Sequence, residues 1–179
     1  AYWAAQDLKP EEKVVGFNIG SAVVTKRWAP ERFAQVADTL AGEGYRTVFF
    51  GGPMDEEMVR EAVSFMKSRP MVATGKFSLG ELAAAMSRCS LIITNDSGPM
   101  YVFDSRGVPT IAMFGPSNAK FHHPLGPCSK ALSSCDMPMG PEHVNKTIAS
   151  GNYTPISEIT TEEVIAAGEE ALTKSEKMK

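Results

Sequence analysis

The sequence contains no apolar run approaching the ~20 residues that a membrane-spanning helix requires, so nothing in it reads as a helical membrane anchor. Its first residues, Ala1-Tyr2-Trp3-Ala4-Ala5-Gln6-Asp7, offer neither a basic region nor an apolar core, and so do not read as a signal peptide. An initiator Met is also missing, which points to a piece excised from something longer. Lys and Arg form no pronounced cluster and the formal net charge is −3, so the electrostatic footprint of a nucleic-acid binder is absent. Cysteine is scarce, with three in the chain. Cys89 closes an apolar helical pattern and reads as core. Cys128 and Cys135 lie near His122 and His123, but at spacings that match no standard zinc-ligand pattern; free thiols in a reducing cytoplasm are expected. No Asp-x-Asp pair occurs, so the usual metal bridge to a nucleotide-sugar diphosphate has no evident ligands.

What is present is a regular alternation of strand and helix signals. With 179 residues, 43% of them hydrophobic and 22% charged, the chain suits one ordinary globular domain. Residues 1–13 read as a linker or hinge segment, and 14–173 as the domain itself. Within it, strands are expected at Val14 to Ile19, Thr47 to Phe50, Pro70 to Ala73, from Leu91, and from Thr110 to Phe114. Helices are expected at Glu31 to Ala41, Asp55 to Ser68, after the Ser78 cap, and from Pro99. Residues 115–155, punctuated by prolines, read as a long irregular segment. Thr160-x-x-Glu163 is a capping box that opens a last helix, and 174–179 reads as a frayed tail. Repeated βα units predict an α/β fold, a doubly wound parallel sheet with helices on both faces and strand order 3-2-1-4-5. In that order strands 1 and 4 are neighbours, and ligands bind in the crevice at their carboxyl ends.

Two loops border that crevice. After strand 4, Asn95-Asp96-Ser97-Gly98-Pro99-Met100-Tyr101 reads as a strand end, a turn and a helix start. A helix N-terminus presents unpaired N–H groups and partial positive charge, a place for a phosphate as well as an ordinary βα turn. After strand 1, Gly20-Ser21 precedes the adjacent cations Lys26 and Arg27, then Trp28, which reads as packing. Ser21 offers a hydroxyl. Lys26 either neutralises a diphosphate held against the Ser97-Gly98-Pro99 helix end, in the turn that Asp96 opens, or is a solvated surface lysine. After strand 2, Gly51-Gly52-Pro53-Met54-Asp55 places Asp55 either on ribose hydroxyls or as a helix cap. Phe77 lies along a base or fills the core. His122, His123 and His143 are the only histidines and fall outside both loops, so no nucleophile has an orienting base. The Gly16 and Gly20 spacing is not the dinucleotide fingerprint, which weakens an NAD reading.

With these residues in place, the chain resembles the heptosyltransferase group, glycosyltransferase family 9. The match is carried by Gly20-Ser21 with Lys26-Arg27-Trp28, by Gly51-Gly52-Pro53, by Phe77-Ser78-Leu79-Gly80-Glu81-Leu82 and by Asn95-Asp96-Ser97-Gly98-Pro99-Met100. Phe114-Gly115-Pro116 and Ile159-Thr160-Thr161-Glu162-Glu163-Val164 add to it. The resemblance implies the carboxyl-terminal, donor-binding half of a GT-B enzyme, with the amino-terminal acceptor domain and its general-base aspartate absent. It implies an inverting, metal-independent bacterial enzyme of lipopolysaccharide biosynthesis, without cofactor, that moves heptose from ADP-heptose to a lipid-linked saccharide acceptor at the inner face of the cytoplasmic membrane. By position, Lys26 and the Ser97-Gly98 turn would hold the diphosphate with help from Ser21, Asp55 would approach the ribose and Phe77 the adenine. The isolated domain would be inactive. The family usually carries His where this chain has Tyr101. Alternatives are a nucleotide-binding module without transferase activity and a transferase using another nucleotide sugar.

Overall fold

Strands of a parallel sheet are covered on both faces, so they read as continuous apolar runs rather than alternating ones. Val14–Asn18 (β1), Leu91–Asn95 (β4) and Thr110–Phe114 (β5) are buried at every position, and Arg46–Phe50 (β2) at all but its first. Met71–Val72 (β3) and Lys130–Ser133 (β6) form the two edges. The computed structural model describes residues 2–6, 8–133 and 155–178. In it all six strands are parallel, in the order β3-β2-β1-β4-β5-β6. The first five stand in the order expected from the sequence. The sixth was not expected, because it falls within the segment 115–155 that reads as irregular. So does a short helix, Ala119–His122 (α5), capped by Asn118.

Pro30–Gly42 (α1), Glu56–Phe65 (α2) and Thr161–Lys177 (α6) cover one face of the sheet; Leu79–Met86 (α3) and Gly98–Ser105 (α4) cover the other. Alternation along each strand divides the two cores. Phe17, Phe49, Ile93 and Ile111 face α1, α2 and α6, with Phe17 stacked on Phe49 at 5.1 Å. Val48, Phe50 and Ile92 face α3 and α4, meeting Leu82, Met86 and Phe103. Gly16 belongs to this second face: a Cβ there would stand 2.6 Å from Ile92 Cδ1 and 2.9 Å from Phe50 Cε2. Burial pushes the Cys89 thiol well above its ordinary range, so it behaves as a small hydrophobe. Cys128 is half-buried with Sγ 3.5 Å from Met178 Sδ, while Cys135 and His143 lie outside the described residues.

Three boundaries differ from expectation, each for a visible reason. The second helix ends at Phe65 rather than Ser68, because the Asp38 carboxylate accepts hydrogen bonds from the Lys67 N–H, the Ser68 N–H and the Ser68 hydroxyl and draws the chain out of the helix. The last helix continues through Lys177 instead of fraying from Lys174. Glu176 forms an ion pair with Lys13, and Lys174 and Lys177 oppose the negative end of the helix dipole. The stretch read as a linker is docked: Tyr2, Trp3 and Leu8 pack on the second core, the Trp3 indole donates to the Ala85 carbonyl at 3.1 Å, and Arg88 donates to the Glu12 carbonyl at 2.8 Å.

At its other end α4 is tied down by Asp104, whose carboxylate accepts from the Leu125 and Gly126 N–H groups and from the Ser129 hydroxyl. No helix among the described residues is long and apolar enough to cross a membrane. The capping box of α6 is complete, with Glu163 N–H to Thr160 Oγ1 at 3.2 Å and Thr160 N–H to Glu163 Oε2 at 2.8 Å. Thr160→Ala should lower unfolding free energy by about 0.5–2 kcal/mol, read as a lower urea midpoint with an unchanged slope.

Candidate functional site

β1 and β4 are adjacent, but the chain leaves them in different directions, and the space this opens at their carboxyl ends is the ligand crevice of such sheets. Asn95 holds the parting together. Fully buried at the end of β4, it accepts from the Trp28 N–H at 3.1 Å and donates to the Ile19 carbonyl at 2.7 Å. Trp28, completely buried, packs edge-on against Phe33 and donates its indole N–H to Ile159 at 2.9 Å. These bonds hold the loop after β1 by both its ends. Asn18, at the end of β1, reaches across with its amide to Thr94 Oγ1 and Ser97 Oγ, each at 3.2 Å.

The resulting cleft has a volume of about 380 Å³ and is walled by Asn18, Gly20 to Ala22 and Arg27, by Gly51 to Asp55, and by Ser97 to Pro99 at the start of α4, with Leu82 on α3. Ser97 occupies the N-cap position of α4, yet its side chain makes no cap hydrogen bond. The hydroxyl lies instead beside the Asn18 amide; Pro99 has no N–H and the Met100 N–H donates to the Ser97 carbonyl at 3.0 Å, which leaves the Gly98 N–H of the first turn for an external acceptor. Asp55, half-buried on the opposite side, accepts from the Gly52 N–H through Oδ2 at 2.8 Å and so closes the Pro53–Asp55 turn; it stands at the N-cap position of α2 but makes no side-chain cap hydrogen bond there, because its carboxylate is turned back to Gly52. Its carboxylate also lies against Gly20, where a Cβ would come within 2.2 Å of Oδ1; only glycine permits this approach.

Of the residues singled out in the sequence, Ser21, Asp55, Ser97 and Gly98 form cleft walls. Lys26 and Asp96 are paired with each other behind the wall. The ammonium lies 2.7 Å from Asp96 Oδ2, close enough for charge attraction but off the angle of an aligned hydrogen bond. Their side chains are 25% and 8% exposed, so Lys26 keeps part of its side chain in contact with solvent while Asp96 is nearly closed off. Phe77 is half-buried in the second core, edge-on to Tyr2 at 5.1 Å and tilted on Phe50 at 6.3 Å. Tyr101 is 43% exposed and donates its hydroxyl to the His122 carbonyl at 3.0 Å, toward α5. Burial, and then the charge of Asp96, raise the Tyr101 pKa, so the phenol stays a donor at neutral pH.

Asn18, Asn95 and Arg27 are the residues whose part in the site the sequence reading did not separate out. An asparagine that ends an apolar strand directly before a turn is the available signal for the first two. Replacing Asn95 by Leu would orphan the buried Trp28 N–H and Ile19 carbonyl, so Asn95→Leu should cost about 2–5 kcal/mol in chemical denaturation.

The family model for glycosyltransferase family 9 (heptosyltransferase) matches residues 2–152. Lipopolysaccharide heptosyltransferase 2 of Salmonella typhimurium is 29% identical over 164 residues, which cover 88% of this chain and 46% of that protein. Lipooligosaccharide heptosyltransferase 2 of Haemophilus influenzae is 31% identical over 123 residues, 66% of this chain and 36% of that protein. Among solved structures, a family 9 glycosyl transferase from Veillonella parvula superposes with a TM-score of 0.89 at 51% identity, covering 97% of this chain and 49% of that one. Escherichia coli ADP-heptose LPS heptosyltransferase II superposes at 0.82 with 24% identity, covering 97% and 50%, a likeness of fold. The chain thus spans about half the length of the relatives that it matches.

Proposed function

The chain belongs to glycosyltransferase family 9, the heptosyltransferases, and we propose that it is the donor-binding half of a bacterial enzyme that transfers heptose from ADP-heptose to the lipopolysaccharide inner core. The observation that carries this reading is the polarity of the cleft. One side holds the uncapped start of α4 with cationic side chains close by; the other holds the Asp55 carboxylate, with Oδ2 engaged by Gly52. A nucleoside diphosphate has the matching polarity, with an anion at one end and hydroxyl donors on its ribose. The diphosphate would meet the Ser97-Gly98 turn, and the ribose would meet Asp55. Lys26 has three donors and Asp96 takes up one direction of its charge, leaving N–H groups for a phosphate oxygen.

In transfer, bond breaking moves negative charge onto the departing ADP. A fixed helix terminus and a fixed ammonium stabilise that charge without reorganising, and this is the contribution proposed for this half. Metal-independent transfer is the mechanism proposed, because the cleft walls hold a single carboxylate among the described residues, too few to bridge a metal ion to a diphosphate; inversion at the sugar is proposed on the family resemblance. The base that activates the acceptor hydroxyl would come from a facing amino-terminal half, together with the lipid-linked saccharide site. Closure of the two halves would align them at the inner face of the cytoplasmic membrane.

Calorimetric titration should show ADP binding that is unchanged by EDTA; a requirement for Mg²⁺ would refute the metal-free arrangement. Lys26→Ala should weaken ADP by about 1.5–3 kcal/mol, since it removes a charge-assisted bond and leaves Asp96 unpaired near the phosphates. Incubated with ADP-heptose and a heptose-accepting core lipid, the chain alone should give no product above background. Turnover would place a base within these residues and overturn the division of labour.

A further inference from the structure

Asn18 ends β1 opposite Thr94 in β4 and is 3% exposed, yet its amide serves two hydroxyls. The amide nitrogen lies 3.2 Å from Thr94 Oγ1 and 3.2 Å from Ser97 Oγ. The nitrogen and oxygen of an amide are alike in shape, and Thr94 decides which of them faces the hydroxyls. Thr94 Oγ1 stands 2.9 Å from the Asn95 carbonyl, which can only accept, so the threonine proton is spent there. Toward Asn18, Thr94 is therefore an acceptor, and the group facing it is the NH₂. The two hydrogens of that group divide between Thr94 and Ser97.

The two acceptors differ in what becomes of their own protons. Thr94 is fully buried and gives its proton to the backbone. Ser97 stands half-buried in the cleft wall, and among the described residues its hydroxyl proton has no acceptor. Nor does its oxygen cap the helix. An N-cap serine ordinarily accepts from an N–H of the first turn. In α4 the second position is Pro99, without N–H, and the third is Met100, whose N–H goes to the Ser97 carbonyl at 3.0 Å. With Asn18 donating to Oγ, the serine proton is kept for an acceptor from outside the chain. A hydroxyl in this state meets an anionic oxygen as a donor without first exchanging partners.

We propose that Asn18 is a positioning residue of the donor site: by donating to Ser97 it makes that hydroxyl a donor to an anionic oxygen of the nucleotide rather than a cap on α4. The proposal rests on the donor-binding reading above and adds to it a residue that acts through Ser97. An apolar side chain of the same size at position 18 would leave the serine free to turn its oxygen onto the helix.

The test is a double-mutant cycle. ADP and adenosine are titrated by calorimetry into the chain and its Asn18→Leu, Ser97→Ala and doubly substituted variants. Ser97→Ala should lower ADP affinity roughly tenfold, since it removes a bond to a charged acceptor, and adenosine affinity by less than about twofold. Asn18→Leu should lower ADP affinity about threefold to tenfold, and the double variant should stay within about twofold of Ser97→Ala alone. Losses that multiply in the double variant would mean that Asn18 shapes the cleft without Ser97, and would overturn the proposal. Unchanged ADP affinity in Asn18→Leu would overturn it too, leaving donor binding intact. Asn18→Asp keeps the shape should leucine disturb the strand. Its carboxylate only accepts and takes the serine proton away from the ligand, so ADP affinity should fall more than about tenfold, and adding Ser97→Ala should then cost less than about twofold. An Asn18→Asp variant that binds ADP like the parent would again overturn the proposal. A parent chain that binds no ADP would overturn the donor-binding reading and this assignment with it.

Discussion

The site depends on how a parallel sheet opens at its switch point without exposing unsatisfied backbone. β1 and β4 lie side by side as buried strands, and beyond them the chain must turn both ways. One side chain reconciles these demands: Asn95, bonded to the Ile19 carbonyl and the Trp28 N–H. A buried amide can offer donor and acceptor together, which no apolar residue of the same size can do. Because it grips the loop after β1 at its beginning and end, the ten positions from Ile19 to Trp28 are closed into a loop with fixed ends. Gly20, Ser21, Lys26 and Arg27 are placed by that closure. The cleft is thus a consequence of core packing as much as of the polar residues at its rim.

Legibility followed burial. β1, β2, β4 and β5 were recognisable because continuous apolar runs of three or four residues bounded by turn signals have few other uses, and their order followed from the handedness of the crossovers. β6 was not legible. Lys130-Ala131-Leu132-Ser133 has one large apolar residue and no β-branched one; its strand character comes from pairing with β5, with Ile111 opposite Lys130 and Phe114 opposite Ser133. The end of α2 was hidden for a similar reason, since the hydrogen bonds that stop it come from Asp38, on another helix. The docking of Trp3 likewise depends on Ala85, far away in sequence.

For the site, position was readable and partnership was not. The sequence located both loops, and Ser21, Asp55, Ser97 and Gly98 do stand in the cleft wall. It could not show that Lys26 would meet Asp96, because that needs the turns after β1 and β4 to face each other. Phe77 and Tyr101 show the same limit. Each is close to the cleft in sequence terms, yet one ring is engaged by Tyr2 and Phe50, and the other hydroxyl by the His122 carbonyl.

α4 is eight residues long, so its ends are separated by roughly 12 Å. Its front contributes the Ser97-Gly98 turn; its rear is clamped through Asp104 to the backbone of Leu125 and Gly126 and to Ser129, just ahead of β6. The short helix is therefore a strut braced at both ends between the centre of the sheet and its edge. Amides oriented in this way meet an anion without first being ordered, since the entropy of that ordering was already lost when the chain folded. The loop that leads into the edge strand, with no residue in the cleft, thereby takes part in how firmly one wall of the cleft is held.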